Sequence, residues 1–78
     1  MLRAWRFVLE NSEFITPEQV MQAAEISHDM AASFLQTWLE AGILRRAPRY
    51  PGYVYYRAKQ WQEQPLAQQL NQYLTADR

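Results

Sequence analysis

The stretch Thr16–Arg57, TPEQVMQAAEISHDMAASFLQTWLEAGILRRAPRYPGYVYYR, decides the fold. Thr16-Pro17 is a strong helix start, because the threonine hydroxyl accepts a hydrogen bond from an orphan amide and proline at the first helical position has no amide to lose. Gln19 completes a T-x-x-Q capping box. Val20, Met21 and Ala24 then lie on one stripe, which predicts a helix over 17–25. Ile26 is an isolated hydrophobe and Ser27 a second N-cap, so Glu25-Ile26-Ser27 reads as a tight turn between two helices. In the following segment Ala31, Phe34, Leu35, Trp38 and Leu39 have the spacing of a core-facing helix over 28–41. Gly42 stands where a left-handed C-cap ends it.

Beyond Gly42 the pattern turns extended. Ile43-Leu44-Arg45-Arg46 leads through Ala47 to Gly52, a segment carrying Pro48, Pro51 and Gly52, into Tyr53-Val54-Tyr55-Tyr56-Arg57. Pro51-Gly52 is the pair expected at the centre of a type II turn. The β-prone run 53–57 can pair antiparallel with 43–46, giving a hairpin over 43–57. Strand alternation directs Val54 and Tyr56 inward.

On the amino-terminal side, Leu2, Trp5, Val8 and Leu9 recur at helical spacing and predict a helix over 2–11. Asn11-Ser12-Glu13 breaks it, and Phe14-Ile15 is an apolar pair expected to be buried, as a brief strand or a plug in the core. On the carboxyl side, glutamines surround Trp61, and Pro65 opens a last helix over 65–75 with Leu66, Leu70, Tyr73 and Leu74 on one face. So short a helix is marginal alone in water, so its stripe must meet the core or a partner.

Seventy-eight residues allow one domain, 1–78, and a chain of this size buries only about 60% of the surface that it exposes when unfolded. Apolar residues make up 49% and aromatics 14%, which suits a compact core of large side chains. With no cysteine, neither a disulfide framework nor a thiolate metal site is available, and a cytoplasmic location is expected. MLRAWRFVLEN is too short an apolar run for a signal peptide, and nothing approaches the ~18 apolar residues of a membrane span.

Net charge is zero, but the charges are segregated. From Glu10 to Glu40 there are six acidic residues and no Lys or Arg, whereas Arg45 to Lys59 holds five basic residues and no acid. A local positive field of this kind can meet phosphates within a Debye length of about 8 Å at physiological salt.

The capped T-P-E-Q helix, the Glu25-Ile26-Ser27 turn, the helix ending L-E-A-G, then I-L-R-R and the Pro51-Gly52 tip together resemble a winged helix-turn-helix domain of the bacterial regulator type. The resemblance covers just over half the chain. It implies a mainly α fold with a small β-hairpin: a three-helix core, a wing and an extra C-terminal helix. Domains of this kind serve as DNA-binding regulators and accessory factors, and also as protein-docking modules. Glu25 departs from the pattern, since such turns often carry a left-handed glycine there.

In that fold the second helix presents Ser27, His28, Asp29, Ala32, Ser33, Gln36 and Thr37 outward. Major-groove readout leans on Arg for guanine and on Asn or Gln for adenine, so Gln36 and His28 lead here, followed by Ser33, Thr37 and Ser27. Asp29 faces incoming phosphates unfavourably. The wing is better equipped. Arg45, Arg46, Arg49, Arg57 and Lys59 interleave with Tyr50, Tyr53 and Tyr55, a mixture suited to phosphate contacts, minor-groove insertion or stacking on exposed bases.

Ser27-His28-Asp29 is no catalytic triad, because neighbours at a helix start diverge by about 100° and a triad must converge from separate segments. No paired carboxylates, phosphate-cradling glycine loop or metal-ligand spacing occurs, so neither an enzyme, a metal nor a cofactor is expected. The expected partner is double-stranded DNA. The alternative is a protein partner docked on the acidic, polar face of the second helix. Trp5 and Phe7 at one end, with Trp61, Leu66, Leu70, Tyr73 and Leu74 at the other, also offer a homodimer through the first and last helices.

Overall fold

Apolar spacing and caps lay the chain down in the order α1 (Leu2–Glu10), α2 (Pro17–Ala24), α3 (His28–Glu40), β1 (Leu44–Arg49), β2 (Gly52–Arg57), a short 3-10 turn (Trp61–Glu63) and α4 (Pro65–Ala76). This computed structural model describes residues 2–11 and 13–76; Ser12, part of the predicted break after the first helix, lies outside them. The described residues form a mainly helical α+β fold with one two-stranded antiparallel hairpin.

The caps fix where α2 and α3 start. The Gln19 amide donates to Thr16 Oγ1 at 3.3 Å and the Thr16 amide donates to Gln19 Oε1 at 3.1 Å, so both halves of the capping box are made. Ser27 Oγ accepts from the Met30 amide at 3.2 Å and opens α3. Between the two helices Glu25 takes the left-handed conformation, φ 56° and ψ 48°, and its amide and that of Ile26 both donate to the Met21 carbonyl. Gly42 is left-handed too, at φ 82°, and the next amide, of Ile43, donates to the Trp38 carbonyl.

The hairpin occupies the predicted span, but its paired strands are longer than predicted and reach closer to the turn. Its register runs from Leu44 opposite Arg57 to Arg49 opposite Gly52. Gly52 is already paired, so the turn is centred on Tyr50 and Pro51, joined by a cis peptide bond, and not on Pro51-Gly52.

The inward and outward faces of β2 also differ from simple alternation. Ile15 forms an antiparallel bridge with Tyr55, each amide donating to the other's carbonyl at 2.7 and 2.8 Å. Directly opposed residues share a face, so Tyr55 joins fully buried Ile15 and Leu44 in the core and is only 8% exposed. One residue along, Tyr56 meets Phe14 on the other face, their rings edge to face at 5.8 Å. Tyr55 is therefore not part of the exposed wing surface. Phe14, expected inside, is 53% exposed because period-2 geometry gives the core only one of the pair Phe14-Ile15. Val54 is buried as expected.

Three tryptophans organise the core. Trp5 meets Trp38 edge to face at 5.4 Å and Trp61 at 5.9 Å. Helix α1 packs on α2 and on α4, α2 on α3, and α3 on β1. Ala67 and Leu70 of α4 are buried, with Leu66 and Leu74 packed partly against the same core. The stripes of the first and last helices, which offered a surface to a second copy, thus meet within one chain, with Tyr73 left 53% exposed. Among the described residues no helix is long and apolar enough to cross a membrane.

Candidate nucleic-acid interface

The hairpin projects its cations because β1 is hydrophobic only where it enters the core, at Leu44, after which every residue except half-buried Ala47 is exposed. Arg45, Arg46, Arg49 and Lys59 all lie on the surface. Among the described residues none of them is paired with a carboxylate; the ion pairs found are Arg3–Glu25 and the looser His28–Glu18. Their charges are open to solvent and to a polyanion.

Three aromatic side chains modulate this surface. The Arg46 guanidinium sits 4.5 Å above the ring of Tyr53, an arrangement worth about 0.5–1 kcal/mol at an exposed site. Tyr50, at the turn, is 98% exposed. At the other end Arg57 is committed to the scaffold: it lies 5.3 Å over the Trp61 ring and its Nη1 donates to the Leu9 carbonyl at 3.4 Å. Both Arg57 contacts escaped the sequence reading, and the one signal for them was an isolated tryptophan just beyond the strand.

Apart from Arg45 and Arg46 on β1 and the cap residue Ser27, the predicted residues fall into three places. Arg49, Tyr50 and Tyr53 share a hollow with His28 and with Thr16, Pro17 and Glu18, where the amino ends of α2 and α3 approach the hairpin tip. There His28 Nε2 lies 3.9 Å from Glu18 Oε1. Arg57 and Lys59 line a second groove at the hairpin base, with Glu13, Phe14, Tyr56 and Trp61. Ser33, Gln36 and Thr37 form an exposed row along α3.

That row is poorly armed for base reading. Ser27 spends its hydroxyl oxygen on the helix cap, and Gln36 Nε2 donates to Glu40 Oε1 at 3.1 Å. Met30 is 48% exposed beside the exposed carboxylate of Asp29, and α3 carries no Lys or Arg. Among the described residues no three His, Asp or Glu side chains gather as a metal would require. Comparison with protein-family models, with curated proteins and with solved structures finds no match to the chain.

Proposed function

We propose that this chain is a small winged-helix DNA-binding protein, a transcriptional regulator or accessory factor, that holds duplex DNA mainly through its basic hairpin. The observation carrying this reading is the set of four exposed cations, Arg45, Arg46, Arg49 and Lys59, on and beside one hairpin and without a carboxylate partner among the described residues. In support, the bridge between Ile15 and Tyr55 anchors that hairpin, with its three arginines Arg45, Arg46 and Arg49, to the segment between α1 and α2. His28, at the start of α3, also lines the hollow under the tip that Arg49 lines.

Phosphate contacts supply affinity in this reading, and His28, Ser33, Gln36 and Thr37 add limited base contact. The test is a titration of labelled duplex at several salt concentrations. If the four free cations each neutralise one phosphate, log affinity falls against log salt with a slope of about −3.6. Salt-insensitive retention, or no binding at low salt, overturns the reading.

One observation favours a second reading, a protein-docking module: α3 shows Asp29, exposed Met30 and Glu40 on a helix without cations. Charge reversal at Arg45 and Arg46 separates the two. Loss of DNA binding with partner capture intact supports the first, and the opposite result supports the second.

A further inference from the structure

The hairpin tip carries a side chain that the fold does not use. Tyr50 is 98% exposed, at the apex of the turn and directly after Arg49. Its neighbour Tyr53 is half in water, with one face of its ring already under Arg46. Two accessible aromatic rings therefore stand with Arg46 and Arg49 on one hairpin, Tyr53 under Arg46 and Tyr50 next to Arg49 in the chain. Cations that follow a backbone and rings that stack on successive bases are the combination that single strands require.

The interior of an intact duplex offers a tyrosine no base face. Nor does α3 make up the difference on a duplex. A helix lying in the major groove approaches phosphates on both sides, yet α3 has Asp29 in its first turn, Glu40 in its last and no Lys or Arg. Cationic and stacking groups are thus concentrated at the hairpin, and the helix face gains little from a long duplex.

From this we infer that the preferred ligand is DNA with unpaired bases next to a duplex, Tyr50 stacking on an exposed base where the strands part. Arg46 and Arg49 hold the flanking phosphates, and Tyr53 offers a second stacking face. This inference rests on the DNA-binding reading above and narrows its substrate class.

The test uses anisotropy titrations of the intact chain with three labelled ligands. These are a blunt duplex, the same duplex with a single-stranded thymidine tail of about 10 nucleotides, within the site sizes of single-strand binders, and a control whose tail is abasic. The abasic tail keeps the phosphates and removes the stacking faces. The thymidine-tailed duplex is expected to bind about tenfold more tightly than the abasic-tailed one. In Tyr50→Ala, whose fold is checked by circular dichroism, that difference shrinks, with Tyr53 as the remaining stacking face, and in Tyr50→Phe it stays. Upfield shifts of the Tyr50 ring protons on adding the thymidine-tailed ligand report the stacking directly. Equal affinity for the two tailed ligands, or an undiminished difference in Tyr50→Ala, overturns the inference and leaves duplex binding standing. No binding to any of the three overturns both.

Discussion

The indole N–H of Trp5 donates to the side-chain carbonyl of Asn71 at 3.0 Å, tying α1 to α4 across most of the chain. Trp38, in edge contact with Trp5 and equally buried, has an indole N–H with no partner among the described residues. The two rings share one core and differ in polar satisfaction. Trp5→Phe removes a hydrogen bond and orphans the Asn71 carbonyl, whereas Trp38→Phe also deletes an unsatisfied buried donor. Leaving such a donor in place costs about 1–3 kcal/mol. Both variants lose ring volume, so Trp38→Phe should be the milder by about 1–2 kcal/mol in urea denaturation. A larger loss in Trp38→Phe would mean that its N–H is satisfied in solution.

The turn between α2 and α3 should yield stability to a single change. Glu25 holds φ 56°, a region that costs a residue with a Cβ about 1 kcal/mol or more. Its carboxylate pairs with Arg3 at 2.7 Å, but both side chains are more than 70% exposed, and such pairs are worth about 0–1 kcal/mol. Glu25→Gly should therefore raise the melting temperature, by the equivalent of about 0.5–1 kcal/mol after the greater freedom of glycine in the unfolded chain is counted. Arg3→Ala should move it little. A melting temperature lowered by Glu25→Gly would show that the ion pair outweighs the backbone cost.

The helices were legible because their signals are local. Thr16-Pro17, Ser27 and Gly42 mark ends through side-chain caps and backbone preference, and each acts where it stands. The hairpin's existence was legible for the same reason. Its inner face was not, because that depends on which residue of Phe14-Ile15 pairs with which tyrosine, a contact between positions about 40 residues apart. Pairing with Ile15 takes Tyr55 into the core and leaves Tyr56 half-buried against Phe14, while Val54 is buried as well, so the burial of β2 does not follow simple alternation. At the candidate site the basic run could be read directly, but the commitment of Arg57 to Trp61 and Leu9 could not, since it depends on how α1 and the 3-10 turn close on the strand.

Gly42 should be intolerant of a side chain. It has φ 82°, and a Cβ built there lies 3.3 Å from Gln64 Cδ. Gly42→Ala is expected to cost about 1–2 kcal/mol, read as a lower denaturation midpoint with unchanged slope. The Gln64 side chain is flexible at its end, so adding Gln64→Ala should recover only the small steric share. Full recovery in the double variant would place the cost in the contact and not in the backbone.

Arg49 and Arg57 stand at opposite ends of the hairpin and should separate binding from folding. Arg49 is exposed, unpaired among the described residues and lines the same hollow as His28 and Tyr50. Arg57 lies over Trp61 and holds the Leu9 carbonyl. Arg49→Ala should leave the melting temperature unchanged and make the salt slope of DNA affinity shallower by about 0.9, the share of one phosphate. Arg57→Ala should do the reverse. It loses a cation–π contact and a charge-assisted hydrogen bond, about 1–2 kcal/mol together, while the slope stays as it was. The two measurements are independent, one a thermal melt and the other a titration against salt. If Arg57→Ala changed the slope as much as Arg49→Ala, both cations would reach phosphate, and Arg57 would have to leave Trp61 and Leu9 on binding.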